Sequence, residues 1–409
     1  MASDTRHEPP APDPRVGRLR TLIVLSALMA FASISTDLYL PAMPALAVAL
    51  RADPADVQLT LSAFLAGFSV GQLLWGPIGD RYGRRLPVAA GLVLFMIGSA
   101  GCALSDTVWQ MMGWRVVQAL GACAGPVLAR AMVRDLFARE RSAQMLSTLM
   151  TVMAIAPLLG PLIGGQILLV TSWQGIFWTL VGIGLLALAG ILSLPETLPR
   201  EKRNPQPLAG ALIGYLDLVR SPRLVGYALA GGFFYGGLFA QVAGTPFAYI
   251  DYHGVSPQAY GLLFGITVAG LMVTNILNTR LVMRLGSDRI FASGAAVAAL
   301  AGVVLVLDAR FGWGGLIGLV LPLFVYVSMA GFVVANSVAG ALSAYPHKAG
   351  AASALVGAAH SGTGVLSAAM VGWFADGTPG PMGFVIGLGG IGTFAIALML
   401  LRGRWRWSA

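Results

Sequence analysis

From Ser142 to Pro195 the chain runs for 54 residues without a charged side chain. A helix of about 20 apolar residues crosses the hydrocarbon core of a bilayer, so this stretch is long enough for two spans that turn near Ser172. Of the whole sequence, 57% is hydrophobic and 11% is charged, against about 25% charged in a typical soluble domain. The sequence therefore predicts an all-α, polytopic membrane protein.

Twelve uncharged or nearly uncharged runs follow one another along the chain. We predict helices at 20–46, 57–77, 86–105, 107–129, 143–169, 173–194, 223–249, 257–279, 290–308, 313–342, 349–374 and 380–401. Helices are expected because they satisfy their own backbone hydrogen bonds within lipid. The runs divide six and six, which predicts two pseudo-symmetric six-helix bundles.

Basic residues lie almost entirely on one side of the predicted membrane. Of the 26 Lys and Arg residues, 23 fall in the two tails and in the segments on the same side. Arg51 and Arg310 remain on the opposite side, and Arg115 lies within a run. Because Lys and Arg are retained in the cytoplasm, both termini are predicted to be cytoplasmic. The net charge of +9 is spread over many short loops, which argues against a nucleic-acid surface.

The runs also define the domain organisation. Residues 1–19 are polar and proline-bearing, so we predict a disordered cytoplasmic tail. The two bundles occupy 20–194 and 223–401, a proline-rich cytoplasmic linker occupies 195–222, and a second tail occupies 402–409. A cleaved signal peptide is the alternative for the first run, but its apolar part exceeds the ~7–15 residues of a signal core.

A faint internal repeat supports two related bundles. At an offset of 203 residues the matched pairs are Gly83 with Gly286, Arg81 with Arg284, and Gly91 with Gly294. The second copy has Met283 where the first has Asp80, so the carboxylate is missing there. Repeats of this kind are expected where two bundles rock against each other around a central site.

Two ionisable residues lie deep in the predicted spans, Asp37 among the 17 acidic residues and Arg115 among the 26 basic ones. Burying such a group costs ~2.5–3.5 kcal/mol, so buried ionisable side chains usually face a cavity and carry function. At 1.5 Å per residue, each lies roughly 12 Å below the outer face, and the two could share one aqueous cavity. We predict proton exchange at Asp37 beside Arg115, with a static ion pair as the alternative.

Helical spacing places Gln118, Ala122 and Gly125 on the same face as Arg115, and we assign that face to the cavity. His360 stands in a stretch of Ala, Ser, Gly and Thr. For a lone histidine, a hydrogen-bonded packing role is expected ahead of a proton-relay role.

No catalytic or metal-binding cluster is evident in the sequence. Cys102 and Cys123 both lie in apolar runs, which gives neither a disulfide framework nor metal-type spacing. The four histidines are His7, His253, His347 and His360. We therefore predict that the chain is not an enzyme and uses no metal or cofactor. A sensor without transport activity stays open, although no soluble domain is appended.

A charge-dense turn, 76–85, separates the second and third runs. Its glycines and charged residues are Gly76, Gly79, Asp80, Arg81, Gly83, Arg84 and Arg85. The glycines remove side chains where two helices and a loop come close. The Asp80 carboxylate is placed to cap a helix N-terminus or to pair with an arginine. An ordinary positive-inside loop is the alternative.

This spacing, Gly-x-x-Gly-Asp-Arg-x-Gly-Arg-Arg, resembles the loop signature between the second and third helices of the major facilitator superfamily. The stretch 115–121 resembles the family's fourth-helix motif, with Ala119 in place of a glycine. The stretch 156–165 resembles the fifth-helix motif of proton-coupled exporters, with Ala156 in place of a glycine. The resemblance implies the twelve-helix fold of that family.

The fifth-helix motif also has a physical interpretation. Gly160, Gly164 and Gly165 allow helices to approach closely, and Pro161 perturbs the helical hydrogen bonds. A glycine-rich packing face without a role in transport is the alternative.

Four shorter matches narrow the resemblance to the Bcr/CflA group of multidrug exporters: 37–44, 134–137, 195–198 and 346–350. The group implies a bacterial inner-membrane drug:proton antiporter, with Asp37 as the first-helix acid and Arg115 as the fourth-helix arginine. It also implies a cytoplasmic network that holds the outward-facing state, formed by Asp80, Arg81, Arg84, Arg85 and Arg134.

Several aromatic and polar residues could line a central cavity: Tyr39, Phe68, Gln118, Phe233, Phe234, Tyr235, Phe239, Asn275, Tyr326, Met329 and Asn336. Apolar walls with few fixed polar partners suit varied small amphipathic drugs. For each residue a packing or lipid-facing role is the alternative. We expect a monomer in the bilayer, driven by the proton gradient. Transport of a single polar metabolite, such as an amino acid or a sugar, is the alternative function.

Overall fold

The computed structural model describes residues 14–137, 139–203, 219–343, 345 and 349–407. All the regular structure in these residues is helical. Twelve helical spans form the protein, which confirms the predicted fold class. We number them as spans 1 to 12, and we call the ends assigned to the cytoplasm by the basic residues inner and the opposite ends outer.

The first six spans carry one break, in span 1. Span 1 comprises Pro14–Asp37, the 3-10 turn Leu40–Ala42 and Met43–Ala49. Spans 2 to 6 are Pro54–Tyr82, Arg85–Ala103, Val108–Leu136, Arg139–Val170 and Trp173–Leu192.

The second six spans are broken in spans 7 and 10. Span 7 is Pro222–Pro246, continued by the π-helical turn Phe247–Tyr252. Spans 8 and 9 are Pro257–Leu285 and Ser287–Phe311, and span 10 comprises Gly315–Ser328 and Ala330–Leu342. Spans 11 and 12 are Ala349–Trp373 and Gly380–Trp407.

Length and hydropathy support the membrane assignment. Eleven of the described helical segments are long and apolar enough to cross a bilayer, and span 5 contributes a shorter apolar stretch, Ile155–Val170. The chain is therefore a multi-pass membrane protein.

The predicted turn at 76–85 is mostly helix. Span 2 continues through Pro77 and Asp80 to Tyr82, and Gly83, with φ +95°, ends it. Charged residues do not stop a helix when it leaves the hydrocarbon for water, whereas a glycine with positive φ does. For the same reason span 4 extends beyond its predicted end at residue 129 to Leu136.

The tails and the linker are only partly described. Span 1 begins at Pro14, inside the segment predicted to be disordered, since proline is well tolerated in the first helical turn. Span 12 continues to Trp407, into the predicted second tail. Residues 1–13 and 408–409 of the tails, and 204–218 of the linker, lie outside the described residues.

Span 4 crosses spans 2 and 3 at glycines. A Cβ added to Gly67 of span 2 would lie 2.7 Å from the carbonyl oxygen of Val116, and one added to Gly91 of span 3 would lie 3.1 Å from that of Gly121. Without side chains at these positions the helices approach closely. This packing fixes the position of Arg115, which precedes Val116.

The two bundles meet along the outer halves of their spans. A Cβ added to Gly261 of span 8 would lie 2.9 Å from the Cα of Leu162 in span 5. One added to Gly372 of span 11 would lie 3.0 Å from the carbonyl oxygen of Ala55 in span 2. A small apolar cluster continues this seam inward, formed by Leu61, Leu65, Ala243 and Ala368.

Candidate functional site

Asp37 lies where span 1 is broken. Pro41 and Pro44 follow it, and each lacks the backbone N–H that a continuous helix needs. The helix therefore ends at Asp37 and resumes at Met43. Asp37 is only 6% exposed, and its Oδ1 accepts a hydrogen bond from the Thr36 hydroxyl at 3.1 Å. Broken helices within the membrane are recurrent ion and substrate sites in transporters.

Arg115 is completely buried between two aromatic rings. Its guanidinium carbon lies 4.6 Å from the centre of the Tyr39 ring and 4.4 Å from that of Phe64. Nη1 donates to the Ser35 carbonyl at 3.2 Å and to Gln118 Oε1 at 2.7 Å. Within the described structure Nε and Nη2 have no hydrogen-bond partner. Cation–π attraction is strongest for a desolvated cation, so the rings stabilise this charge.

Asp37 and Arg115 do not form an ion pair. In the described ranges no Arg115 nitrogen lies within 4.0 Å of an Asp37 carboxylate oxygen. Arg115 instead binds the carbonyl of Ser35, two residues before Asp37, where a cation stabilises the C-terminal end of a helix. A static ion pair is therefore wrong for this conformation, and the two residues are linked through the helix end.

The face of span 4 that we assigned to the cavity lies inside the first bundle. The Gln118 amide donates to Ser99 Oγ of span 3 at 2.8 Å. Ala122 is buried, and a Cβ added to Gly125 would lie 2.7 Å from the Leu28 carbonyl oxygen. The prediction was wrong because helical spacing identifies a face without telling whether a cavity or a helix lies opposite.

Span 5 packs directly on the break in span 1. A Cβ added to Gly160 would lie 2.6 Å from the Asp37 Cβ. One added to Gly164 would meet the Leu38 carbonyl and would lie 3.0 Å from Pro41 Cγ. The two glycines therefore form the surface on which the Asp37 segment rests.

The same part of span 5 also contacts the second bundle. A Cβ added to Gly165 would lie 2.8 Å from the carbonyl oxygen of Pro257, at the start of span 8. Pro161 is buried, and its carbonyl oxygen lies 2.9 Å from a Cβ added to Gly261 of span 8. The fifth-helix motif thus stands between Asp37 and the other bundle.

Asp80, Arg84 and Asp135 form a chain of ion pairs at the inner end of the first bundle. Arg84 Nη1 lies 2.6 Å from Asp80 Oδ1, and Arg84 Nε lies 2.8 Å from Asp135 Oδ2. Burial lowers the pKa of Arg84, but the hydrogen bonds and charges of Asp135 and Asp80 outweigh it and raise the pKa above its ordinary value. A Cβ added to Gly79 would meet the Leu128 side chain and would lie 3.2 Å from Arg84 Nη1, so a larger residue would crowd both.

Glu196, in the segment after span 6, caps the N-terminal end of span 3. It accepts hydrogen bonds from the backbone N–H groups of Arg84 at 2.7 Å, Arg85 at 3.1 Å, and Thr197 and Leu198 at 3.0 Å. Burial raises the pKa of Glu196, but the four donors outweigh it and hold the pKa below its ordinary value. Of the two roles predicted for Asp80, pairing with an arginine is the one observed, and helix capping belongs to Glu196.

Gly83 and Arg81 complete the turn. Gly83 has φ +95°, a backbone conformation that favours glycine. A Cβ at Gly83 would lie 2.6 Å from Glu196 Oε2 and 2.8 Å from Arg203 Nη2. The Arg81 guanidinium lies 5.6 Å from the centre of the Tyr82 ring.

Gly76 does not fill the role predicted for it, and the role of Arg134 in the outward-facing state stays a prediction. Nothing lies within 4 Å of a Cβ added to Gly76, so no close approach requires the glycine. Arg134 is exposed, and its neighbour Asp135 joins the chain of ion pairs instead, because adjacent residues of a helix point about 100° apart. Arg85 Nη2 donates to the Leu192 carbonyl.

Three of the aromatic residues predicted to line a cavity are packed in the interior or on the surface of the second bundle. Phe234 and Tyr326 are fully buried and stacked with ring centres 4.9 Å apart, and the Tyr326 hydroxyl donates to the Phe234 carbonyl at 3.2 Å. Phe233 is 41% exposed and packs against Gly392 of span 12. Phe234 and Tyr326 therefore belong to the interior of the bundle, and Phe233 lies on its exposed surface. Adjacent aromatic residues could not be sorted among these environments from sequence.

Tyr235 and Phe239 are neighbours on span 7, and Phe239 reaches the first bundle. Their ring centres are 6.2 Å apart, and the Tyr235 ring stacks on His360 of span 11 at 4.5 Å. Phe239 packs against the apolar cluster that contains Leu61 and Leu65 of span 2. Both residues therefore stay candidates for a substrate cavity.

Tyr39 and Phe68 lie in the first bundle. Tyr39 is fully buried, and its hydroxyl is 2.8 Å from Thr60 Oγ1. Phe68 is half-buried and stacks on Phe64 with ring centres 6.3 Å apart. Tyr39 is thus packed beneath Arg115, and Phe68 extends the aromatic layer around it.

Asn336 belongs to a polar chain within the second bundle. Its Nδ2 donates to Asn278 Oδ1 of span 8 at 2.8 Å, and its Oδ1 accepts from Ser287 Oγ of span 9 at 2.8 Å. The cavity role predicted for Asn336 is therefore wrong. Asn275 is exposed on span 8, and Met329 is half-buried at the break in span 10.

The repeat offset relates the inner end of span 8 to that of span 2. Gly286 has φ +80° and ends span 8, as Gly83 ends span 2. The next residue is Arg84 in the first copy and Ser287 in the second. Ser287 bonds Asn336 where Arg84 pairs with Asp135, but at this offset Asp135 corresponds to Val338, so only the first partners match.

Sequence reasoning assigned no role to Asp135, Glu196 or Asn278. Asp135 and Glu196 do stand in two of the short stretches that carried the family resemblance, so a signal was present. For Asn278 the sequence offered none, because an asparagine within a span has no pattern that identifies its partner.

Comparisons with known sequences agree with this architecture. Residues 25–368 match the profile of the Major Facilitator Superfamily. The chain is 38% identical to the uncharacterized MFS-type transporter YdgK of Bacillus subtilis over 83% of this chain and 85% of that protein. It is 32% identical to the bicyclomycin resistance protein homolog of Haemophilus influenzae over 90% and 92%. It is 30% identical to the chloramphenicol resistance protein of Pseudomonas aeruginosa over 82% and 79%.

Solved structures support the fold independently. The peptide transporter POT in complex with sulfate superposes with a TM-score of 0.76 at 16% identity, covering 95% of this chain and 94% of that one. The xylose transporter XylE from E. coli superposes with a TM-score of 0.72 at 16% identity, covering 94% and 97%. At this identity the likeness concerns the fold alone.

Proposed function

Because the chain belongs to the major facilitator superfamily, we propose that it exports small amphipathic drugs across the bacterial inner membrane in exchange for protons. The names of the relatives from Haemophilus influenzae and Pseudomonas aeruginosa, which refer to bicyclomycin and chloramphenicol resistance, support drugs as the substrate class. Both termini lie in the cytoplasm in this proposal, following the distribution of basic residues.

The buried carboxyl group of Asp37 is the observation that supports proton coupling. Asp37 ends a broken helix, has Thr36 as a hydrogen-bond donor, and has no cationic partner among the described residues. An ionised carboxylate is costly to bury without a counter-charge, whereas a protonated one is not. Asp37 therefore carries the proton in this closed environment and releases it where the segment becomes hydrated.

Arg115 is a positioning residue in this scheme. It holds the Ser35 carbonyl and so fixes the helix end that carries Asp37. Its Nε and Nη2 are unpaired in the described structure, which leaves donors for the ionised carboxylate once span 1 shifts. The Asp37–Arg115 pair thus belongs to a different step of the cycle from the one described here.

Alternating access follows from the contacts between the bundles. The outer halves of spans 2, 5, 8 and 11 are in contact here, so we propose that this conformation opens toward the cytoplasm. In this state the Asp80–Arg84–Asp135 chain joins elements of the first bundle. Its predicted role in the outward-facing state stays a prediction.

Efflux from proteoliposomes with an imposed pH gradient tests the proposal. The panel contains chloramphenicol, bicyclomycin, and a set of amino acids and sugars. We expect gradient-dependent accumulation of at least one drug and none of the polar metabolites. Transport of a single amino acid or sugar, with indifference to drugs, would contradict drug export and support the metabolite alternative.

A further inference from the structure

His360 of span 11 is a buried polar side chain without a full set of partners. The residue is 7% exposed, and in the described part of the chain its Nε2 has no hydrogen-bond partner. Buried polar atoms are rarely left in this state, and such exceptions often mark functional sites. The hydrogen bond expected for its packing role is thus not made by Nε2 among the described residues.

The surroundings of Nε2 consist of small residues. A Cβ added to Gly231 of span 7 would meet Nε2 and would lie 2.8 Å from Ser337 Oγ. The Ser337 hydroxyl donates to the Val334 carbonyl at 2.9 Å, so its proton is used elsewhere. The Nε2 edge of the imidazole thus packs directly against the backbone of span 7 at Gly231.

The ring faces of this group form a row. The Tyr235 ring stacks on His360 with centres 4.5 Å apart and an angle of 18° between the planes. Phe239 lies one turn further out on span 7, with its ring centre 6.2 Å from that of Tyr235. Tyr235 lies about 20 Å into span 7, at 1.5 Å per residue, so the row stands near the middle of the membrane.

The row is closed on its outer side and open on its inner side. A Cβ added to Gly364, one turn after His360, would meet the ring of Phe239. Nothing lies within 4 Å of a Cβ added to Gly357, almost one turn before His360. Among the described residues, span 11 is therefore uncovered at Gly357, almost one turn inward of the histidine.

We propose that His360 and Tyr235 form a substrate subsite that binds a planar aromatic group carrying a hydrogen-bonding substituent. The aromatic group extends the row in offset stacking, and its substituent reaches the edge of the imidazole that faces away from Gly231, where the ring can donate or accept. This inference rests on the proposed drug export and names the part of the drug that the second bundle recognises. Compounds without an aromatic ring gain nothing from the subsite.

Two probes separate the stacking contribution from general drug binding. Chloramphenicol carries a nitrophenyl ring, whereas bicyclomycin has no aromatic ring. Binding of each to the purified full-length protein is measured by isothermal titration calorimetry. We expect His360→Ala and Tyr235→Leu each to weaken chloramphenicol binding about tenfold, through lost stacking and hydrogen bonding, and to leave bicyclomycin binding unchanged.

Two further variants act as controls. His253→Ala removes a histidine that also contacts a tyrosine ring, that of Tyr252, but in the loop after span 7. We expect wild-type binding of both probes from this variant. Gly357→Leu fills the open space without removing a packed side chain, and we expect it to block chloramphenicol alone. It keeps the test valid if His360→Ala fails to fold.

The outcomes distinguish the subsite from the proposed function. If His360→Ala, Tyr235→Leu and Gly357→Leu all bind chloramphenicol as tightly as the wild-type protein, the subsite is overturned and drug export stays intact. The same holds if the variants lose affinity equally for both probes. A wild-type protein that binds bicyclomycin but not chloramphenicol also overturns the subsite and leaves drug export intact. Binding of neither probe by the wild-type protein contradicts drug export for these compounds, and the subsite fails with it.

Discussion

Gly160 and Asp37 are in direct contact between spans 5 and 1, since a Cβ added to Gly160 would lie 2.6 Å from that of Asp37. On the opposite side, Arg115 holds the Ser35 carbonyl of the same helix end. The proposed proton carrier is thus fixed from two sides without an ion pair. Its position depends on backbone packing and a hydrogen bond to a helix end.

Replacing Gly160 with Ala should therefore disturb Asp37 itself. The added methyl group forces span 1 away from span 5, and overpacking of this kind costs about 1–3 kcal/mol of the free energy of unfolding. We expect a lower thermal midpoint in detergent and weaker proton-driven efflux in proteoliposomes. Gly182→Ala is the matched control, because nothing lies within 4 Å of a Cβ added there. Equal behaviour of the two variants would show that the contact between spans 1 and 5 is unimportant.

The chain of ion pairs at the inner end predicts a difference between its two acids. The Asp80 side chain is 53% exposed, so Asp80→Asn should change the free energy of unfolding by about 1 kcal/mol or less. The Asp135 side chain is 17% exposed, so Asp135→Asn should cost more than Asp80→Asn, about 1–2 kcal/mol, by weakening a part-buried, charge-assisted hydrogen bond. We also expect slower turnover from Asp80→Asn. Thermal unfolding and efflux rates check both, and wild-type turnover in Asp80→Asn would remove it from the gate.

Glu196 predicts a pH dependence of stability. Because its pKa is lower in the folded protein than in the unfolded chain, its stabilising contribution is present at neutral pH. This contribution is lost as the pH falls below about 4.3, the ordinary value for Glu, and through the lowered folded value. We expect thermal midpoints of the wild type to fall over this range, and those of Glu196→Gln to fall less. Parallel curves for the two proteins would argue against the cap.

The large features of the fold could be predicted from sequence because they follow from hydrophobicity and charge. Twelve apolar runs predict twelve spans, and the glycines at 160, 164 and 165 predict a close-packed face that the structure shows. The family profile and the named relatives confirm the major facilitator superfamily and a transporter instead of an enzyme. Proton coupling, the drug and the oligomeric state stay predictions.

The details of the site depended on which neighbour each side chain meets. Asp37 and Arg115 were singled out correctly as buried charges, but their lack of an ion pair follows from the helix break and the packing of Tyr39 and Phe64. Asn336 was assigned to the cavity as a polar residue in a span that could line one, whereas its partners lie in spans 8 and 9. Helical spacing defines faces, and only tertiary packing decides what they meet.

The central claim is that Asp37 exchanges its proton for drug. Asp37→Asn tests it most directly, since the amide has nearly the same size, can accept the Thr36 hydrogen bond and cannot ionise. In proteoliposomes with an imposed pH gradient, we predict a folded variant that binds chloramphenicol but does not accumulate it against its concentration gradient. Accumulation at the wild-type level would contradict the account.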